Sequence, residues 1–441
     1  MAERSFRRLL AGIRGPLPDE PGDEAAAGET DGLVAMAQGL SRPAWAEIDL
    51  AAITHNARLV SELVKPAQLC AVVKAHGYGH GGPAVARAAA AGGAIGMAVA
   101  LVDEGMELRR HNVRGPILLL SECDAGAVDE AMANRLTPTL YTRDGVERFS
   151  RAAHALGKVK EVHVKVDTGM HRVGIDPAHA LDLIRSVEDD PMLRLEGVWT
   201  HFPVADGERD EDWSFTLAQL DRFERLVADM KQAGVRADVL HAANTAGAIA
   251  FPQARYDMVR CGIGIYGYLP GNAVTAAFST AGGSALKPAM SLKARVVSVR
   301  TLPAGERPSY GRLRPLPERS VVATVPIGYA DGLPRALFTN GACALIGGRR
   351  RPLAGMVTMD QIVIDCGNDA SVHTGDEVVL LGRQGDEEIT ADEWARLLGT
   401  ISYEVLCGIG PRVPRVYVNS PGPGPGPGPG RAPQSDDDTG V

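Results

Sequence analysis

A (β/α)8 barrel followed by a mainly β domain is the α/β fold class that this 441-residue sequence predicts. Two observations carry it. Eight apolar, strand-like runs alternate with helical stretches over about 200 residues. After about Leu286 the helical stretches give way to β-rich runs with turn residues between them.

In chain order the eight runs are "QLCAVVKA", "AIGMAVA", "PILLL", "LTPTLY", "EVHVKVDTGM", "RLEGVWTHF", "ADVLHAAN" and "YDMVRCGIGIYG". Each is short, apolar and bounded by turn residues, as a strand buried on both faces should be. Between them lie Ala-rich or amphipathic segments such as "PAVARAAAAGG", "DGVERFSRAAHALG" and "WSFTLAQLDRFERLVADMKQAG", which read as helices. A doubly wound open sheet is the alternative that the same alternation allows. The later runs are "SLKARVVSVRTL", "RSVVATVPIGYA", "CALIGG", "MDQIVIDCG", "DEVVLLG" and "RVPRVYV". Among them only "TADEWARLLG" reads as a helix, with Thr390 as N-cap and Glu393 completing a capping box. The expected domains are therefore 43–286 for the barrel and 287–419 for the β domain.

The two ends differ in composition. "GPLPDEPGDEAAAGETDG" is acidic and poor in apolar residues, and "SPGPGPGPGPGRAPQSDDDTGV" alternates Pro with Gly. Neither can bury enough apolar surface to offset chain entropy, so 1–42 and 420–441 are expected to be disordered. A net charge of −8 argues against nucleic acid as a partner. No run is long enough to span a membrane, and "FRRLLAGIRG" carries arginines and no convincing signal-peptide cleavage site. The six cysteines are far apart with no CxxC, and several sit inside apolar strands, so reduced thiols in a cytoplasmic protein are expected.

The first barrel run ends in Lys74, followed by the glycine-rich "HGYGHG". Taken alone, such a lysine either reaches solvent or is desolvated for work as a Schiff-base amine or a base. Other runs also end in polar groups: Lys165 with Arg172, His201, Asn244 with Thr245, and Arg260. Chemistry in a barrel collects at these strand ends. A cluster so cationic calls for anions, and a phosphorylated cofactor plus a substrate carboxylate would supply two.

Three other patterns carry less. "GIGIYG" matches G-x-G-x-x-G, but no Asp or Glu occurs between Asp257 and Glu306 to hold a ribose. Its backbone N–H groups could still cradle a phosphate. "DTG" at Asp167–Gly169 recurs only in the Pro/Gly-rich tail, at Asp438–Gly440, where no folded partner carboxylate is expected, whereas an aspartic protease needs two carboxylates sharing a proton. His76 and His80 are separated by glycines unsuited to a rigid ligand helix, and no metal site is expected.

Across 43–417 the chain resembles the alanine racemases, pyridoxal 5'-phosphate enzymes built of a barrel and a β domain. The resemblance rests on "AWAEIDLAAITHN", "AVVKAHGYGHG", "HVKVDTGMHRVG", "EGVWTHF", "YDMVRCGIGIYG", "MSLKARVVSVRTLPAGE", "SYGR", "GYADGLPR" and "MVTMDQ". It implies that Lys74 forms the internal aldimine and is one catalytic base. Tyr310 would be the other, supplied by the partner subunit of a homodimer. Tyr78, Thr245, Gly262 and Ile263 would hold the phosphate, with Asn244 beside them in the cofactor site. Arg260 would face the pyridine nitrogen, and His201 would link Arg260 to Tyr310. Arg172 and the Met359 backbone N–H would take the substrate carboxylate, and Tyr329 would lie in the entrance. Lys165 is often carbamylated in the family and then pairs with Arg172. Two positions depart from the family pattern. Pro411 stands where many members have a tyrosine that touches the phosphate, and Thr358 stands where cysteine is common.

The activity implied is interconversion of L- and D-alanine, supplying D-alanine for peptidoglycan. The alternatives are a racemase of broader or different specificity, such as one for serine, a non-catalytic pyridoxal-phosphate-binding protein, or a fold-related decarboxylase. The chemistry suits the residues: a base on each face of the substrate is what racemisation requires, and cationic neighbours favour the phenolate of a tyrosine.

Overall fold

The computed structural model describes residues 41–420. The two extensions expected to be disordered lie almost wholly outside the described residues. Among the described residues no helix is long and apolar enough to cross a membrane.

Strand β1 (Ala44–Asp49) opens the described chain. Eight parallel strands follow: β2 (Gln68–Val72), β3 (Gly96–Val99), β4 (Ile117–Leu119), β5 (Thr139–Leu140), β6 (Lys160–Lys165), β7 (Leu193–Trp199), β8 (Val239–His241) and β9 (Met258–Cys261). They correspond one to one with the eight expected runs. Hydrogen bonds connect β4-β3-β2-β9 and β5-β6-β7-β8. Leu118 bridges Thr137 in parallel, joining β4 to the start of β5. At the other seam Arg260 N–H donates to Ala243 O at 2.9 Å and Asp257 N–H to Leu240 O at 3.1 Å. The sheet is therefore closed, which excludes the open doubly wound alternative. Helices fill the crossovers where the sequence has its caps. Thr142 accepts Gly145 N–H at 2.9 Å to start the helix Arg143–Leu156, which ends at the left-handed Gly157.

The β domain adds β10 (Met290–Arg295), β11 (Ser298–Leu302), β12 (Ser320–Val325), β13 (Cys343–Ile346), β14 (Arg349–Pro352), β15 (Ile362–Asp365), β16 (Glu377–Gln384), β17 (Glu387–Ile389) and β18 (Arg415–Val418). One sheet runs β14-β13-β16-β10-β1-β18, with β17 on β16; a smaller one runs β11-β12-β15. β1, inside the range expected for the barrel, pairs antiparallel with β10 and parallel with β18, so it is a strand of the β-domain sheet. Its last residue, Asp49, caps the helix Leu50–Leu63 that returns the chain to the barrel. One apolar core runs through both domains, from Leu69 and Val259 to Leu292 and Leu380.

Two expectations need correction. "TADEWARLLG" is not the only helix of this domain, since Ala336–Thr339 and Ser402–Cys407 are also helical. Both are too short for the periodicity of a sequence window to reveal. Thr390 does cap its helix, accepting Glu393 N–H at 3.1 Å, but the capping box is half formed. The Glu393 carboxylate accepts from Arg350 at 2.7 and 2.9 Å, a charged donor that outcompetes a backbone N–H.

Candidate active site

Lys74 lies half-buried two residues beyond the end of β2. The chain then turns left-handed: φ is 52° at Ala75, 57° at His76, 62° at Gly77 and 50° at Tyr78. This run carries Tyr78 inward, where its ring stacks on Tyr266 at 4.7 Å. Its hydroxyl ends against Gly262, where a Cβ would collide with it. Gly262 N–H in turn donates to Thr245 Oγ1 at 3.2 Å. Two hydroxyls and a glycine backbone thus form a small polar cradle at the ends of β8 and β9. Burial pushes the Tyr78 phenol up, so it remains a donor. Asn244 is engaged beside it, accepting Gly247 N–H at 2.9 Å and donating to Phe202 O at 3.2 Å. Ile263 begins the 3-10 turn Ile263–Tyr266 that follows Gly262.

Arg260 is buried on β9, and both of its Nη atoms are engaged. It donates to His241 Nδ1 at 2.7 Å, Thr200 O at 2.8 Å, Ala242 O at 3.0 Å and His201 Nδ1 at 3.2 Å. Its guanidinium lies over the Trp199 ring, 4.4 Å from the centroid. Burial, then the Arg260 charge, holds His201 well below the usual histidine range, so His201 is neutral at pH 7. Lys165 is 2% exposed and, among the described residues, has no acidic partner within salt-bridge distance; its ammonium also lies over Trp199, at 4.6 Å. Burial and the charges of Arg172 and Arg260 lower its pKa to about 7. Burial and Arg172 lower that of Lys74 too, while Glu104 and Cys407 partly offset them. Arg172 itself is exposed on the loop after β6. Lys74, Lys165, Arg172 and Arg260, with the neutral His201 among them, therefore form one electropositive mouth. This mouth and the Tyr78–Thr245–Gly262 cradle fit a phosphorylated, carbonyl-bearing cofactor.

Three expected residues lie elsewhere. Tyr310, Tyr329 and Met359 sit on β-domain loops and are 72%, 41% and 52% exposed. Those loops are tied together: Ser309 Oγ donates to Met356 O at 2.6 Å and Tyr329 N–H to Thr358 O at 2.9 Å. Among the described residues no hydrogen bond joins this group to Lys74, Arg172, His201 or Arg260. Thr358 uses its hydroxyl within its own turn, donating to Gln361 O at 2.8 Å. Pro411 is exposed. Among the described residues no group of three or more His, Cys, Asp or Glu could hold a metal ion.

Sequence reasoning missed several residues that shape the mouth. Glu104 accepts Ala75 N–H beside Lys74. Tyr403, on the short helix after Ile401, lies with its ring 6.0 Å from that of Tyr78. His163, His241 and Glu196 lie below Arg260. The period-two alternation of "EVHVKV" places His163 and Lys165 on one face, a signal that could have found the first of these.

Comparison with known proteins agrees over most of the chain. Residues 48–270 match the family model described as alanine racemase, N-terminal domain, and 289–417 match that for the alanine racemase C-terminal domain. An alanine racemase of Symbiobacterium thermophilum is 45% identical over 376 residues, 85% of this chain and 97% of that protein. One from Carboxydothermus hydrogenoformans is 41% identical, covering 86% and 100%. The crystal structure of alanine racemase from Bacillus anthracis with bound L-Ala-P superposes with a TM-score of 0.78 at 35% identity, over 86% of this chain and 96% of that one. The alanine racemase of Streptomyces coelicolor gives 0.78 at 38% identity, over 85% and 98%.

Proposed function

The chain belongs to the alanine racemase family and is an amino-acid isomerase acting on alanine, and we propose how its residues divide that work. Pyridoxal 5'-phosphate, when bound, supplies the electron sink that makes the substrate Cα–H acidic enough to remove. Tyr78, Thr245, Gly262 and Ile263 hold its phosphate, with Asn244 fixing the turn beside them. Lys74 supplies the amine that anchors the cofactor and then acts as base on one face of the substrate. Its depressed pKa suits that role, because a base must be unprotonated to take a proton. Arg260 faces the pyridine nitrogen as a donor that keeps its own proton.

Tyr310 is the base on the other face. Its exposure, and that of Tyr329 and Met359 on adjoining loops, supports donation into a second copy's barrel. We therefore propose a homodimer with shared sites. His201 links Arg260 to Tyr310, Arg172 and the Met359 backbone N–H orient the substrate carboxylate, and Tyr329 narrows the entrance. Lys165, a buried amine among cations with a lowered pKa, adds CO2 and releases a proton to form a carbamate, an anionic partner for Arg172. The six free cysteines support a reducing compartment, the cytoplasm, where D-alanine would enter peptidoglycan synthesis.

The observation that carries this assignment is the left-handed run after Lys74 that seats the Tyr78 hydroxyl against Gly262. Lys74→Ala tests it. The visible absorption of the cofactor-loaded protein should vanish, as should the change in optical rotation when L-alanine is added. A borohydride-reducible band on another lysine would overturn it.

A further inference from the structure

Below Arg260 the barrel interior holds a chain of polar groups that this division of work leaves unused. Arg260 Nη1 donates to His241 Nδ1 at 2.7 Å, His241 Nε2 lies 2.9 Å from His163 Nδ1, and His163 Nε2 lies 3.1 Å from Glu196 Oε2. All four side chains are buried.

The arginine fixes every proton in this chain. A guanidinium can only donate, so His241 Nδ1 accepts and the ring proton sits on Nε2. His163 Nδ1 then accepts from it, and the His163 proton faces the carboxylate. A doubly protonated His163 would set two N–H groups against each other across 2.9 Å. Both imidazoles are therefore neutral, with a cation at one end and a carboxylate at the other.

Two local features bring the lower end together. The pairing of β6 with β7 slips by one residue, from Val162–Leu195 to His163–Gly197, which leaves Glu196 as the extra residue of a bulge. A Cβ on residue 197 would collide with the His163 ring, so glycine stands there. Arg194 and Lys160 are the charged neighbours of the Glu196 carboxylate.

We infer that Glu196 is a positioning residue for the racemase, acting through His163 and His241 to fix the donor geometry of Arg260 and to offset its charge. The inference rests on the reading of Arg260 as the group facing the pyridine nitrogen. An anionic end makes each nitrogen along the chain a better acceptor. Arg260 then shares its charge downward and is a weaker donor upward. Without that anion, Arg260 would pull ring electrons more strongly. More turnovers would then end in transamination, in which alanine and pyridoxal phosphate become pyruvate and pyridoxamine phosphate.

Neutron diffraction from crystals of the holoenzyme reads the protons directly. A single proton on Nε2 of both His163 and His241 is expected, and a proton on His163 Nδ1 overturns the inference. Glu196→Gln keeps an acceptor of similar volume and removes the charge. At least threefold more pyruvate per racemisation turnover is expected, with a shifted visible absorption of the bound cofactor. Arg260→Lys is the control. If Arg260→Lys shifts that absorption and Glu196→Gln changes neither readout, the role of Glu196 is wrong. If Arg260→Lys leaves the absorption unchanged, the placement of Arg260 falls, and the inference with it.

Discussion

The carboxylate of Glu104 accepts the backbone N–H of Ala75 at 2.6 Å, one residue beyond Lys74. Its other oxygen accepts from Ala100 and Leu101 at 2.8 and 3.1 Å. One side chain thus ties the turn after β2 to the turn after β3. That first turn needs holding, because each left-handed non-glycine residue costs roughly 1–2 kcal/mol. Ala75, His76 and Tyr78 are three such residues in four.

Glu104→Ala would leave these three N–H groups without their charged acceptor. We expect a stability loss of about 1.5–3 kcal/mol, the range for hydrogen bonds to a charged group. The apoprotein should also bind pyridoxal phosphate at least tenfold more weakly, because Tyr78 is no longer held against Gly262. Urea unfolding and an absorbance titration measure the two effects. Unchanged cofactor affinity would show that the turn stands without its clamp.

His76→Gly should act in the opposite sense. His76 is exposed, and its only ionic neighbour among the described residues is Glu107 at 3.7 Å. Glycine removes a left-handed penalty of roughly 1–2 kcal/mol and adds roughly 0.5–1 kcal/mol of backbone entropy to the unfolded chain. A net gain of about 0.5–1 kcal/mol is expected in urea unfolding; a loss would mean that the run is not strained.

Lys74, Lys165, His201 and Arg260 are legible in the sequence because each stands at the polar end of an apolar run, and a barrel gathers such ends. Glu196 is not legible. Its inward turn depends on a register slip between β6 and β7, which no single strand pattern encodes. Glu104 is equally hidden, reading as an ordinary first-turn acid of the helix Val102–Arg110. The β1 strand is hidden for a topological reason: its partners, β10 and β18, lie about 245 and 370 residues away.

Lys165 should give stability a distinctive pH dependence. Its pKa falls from 10.5 to about 7 on folding, so the unfolded chain binds the extra proton between those values. Stability therefore rises with pH across that window, and the cost of burying the charge is fully present below pH 7. In CO2-free buffer, Lys165→Met should be more stable than wild type by the largest margin at pH 6, with the margin shrinking toward pH 10. A margin independent of pH would show that Lys165 is not a buried cation. With 13C-labelled bicarbonate present, wild type should show a carbamate carbon resonance that the Met variant lacks.

Tyr310 provides the test of the shared site. It is 72% exposed, and near it on the chain Leu313 is also exposed. The proposed division of work places a base opposite Lys74, yet the loop of Tyr310 is fastened to the Met356 loop of the β domain. If a second copy supplies the phenol, each site of an isologous dimer takes Lys74 from one chain and Tyr310 from the other. Lys74→Ala and Tyr310→Phe should then each be nearly inactive alone and complement when mixed under subunit exchange. In a mixed dimer one site carries both changes and the other carries neither. Random exchange makes half the dimers mixed, so racemase activity should recover to roughly a quarter of wild type. If Tyr310 served its own barrel, every site in the mixture would keep one lesion. Size-exclusion chromatography and mass spectrometry establish that exchange has occurred; an inactive mixture containing mixed dimers would mean that each chain builds its site alone.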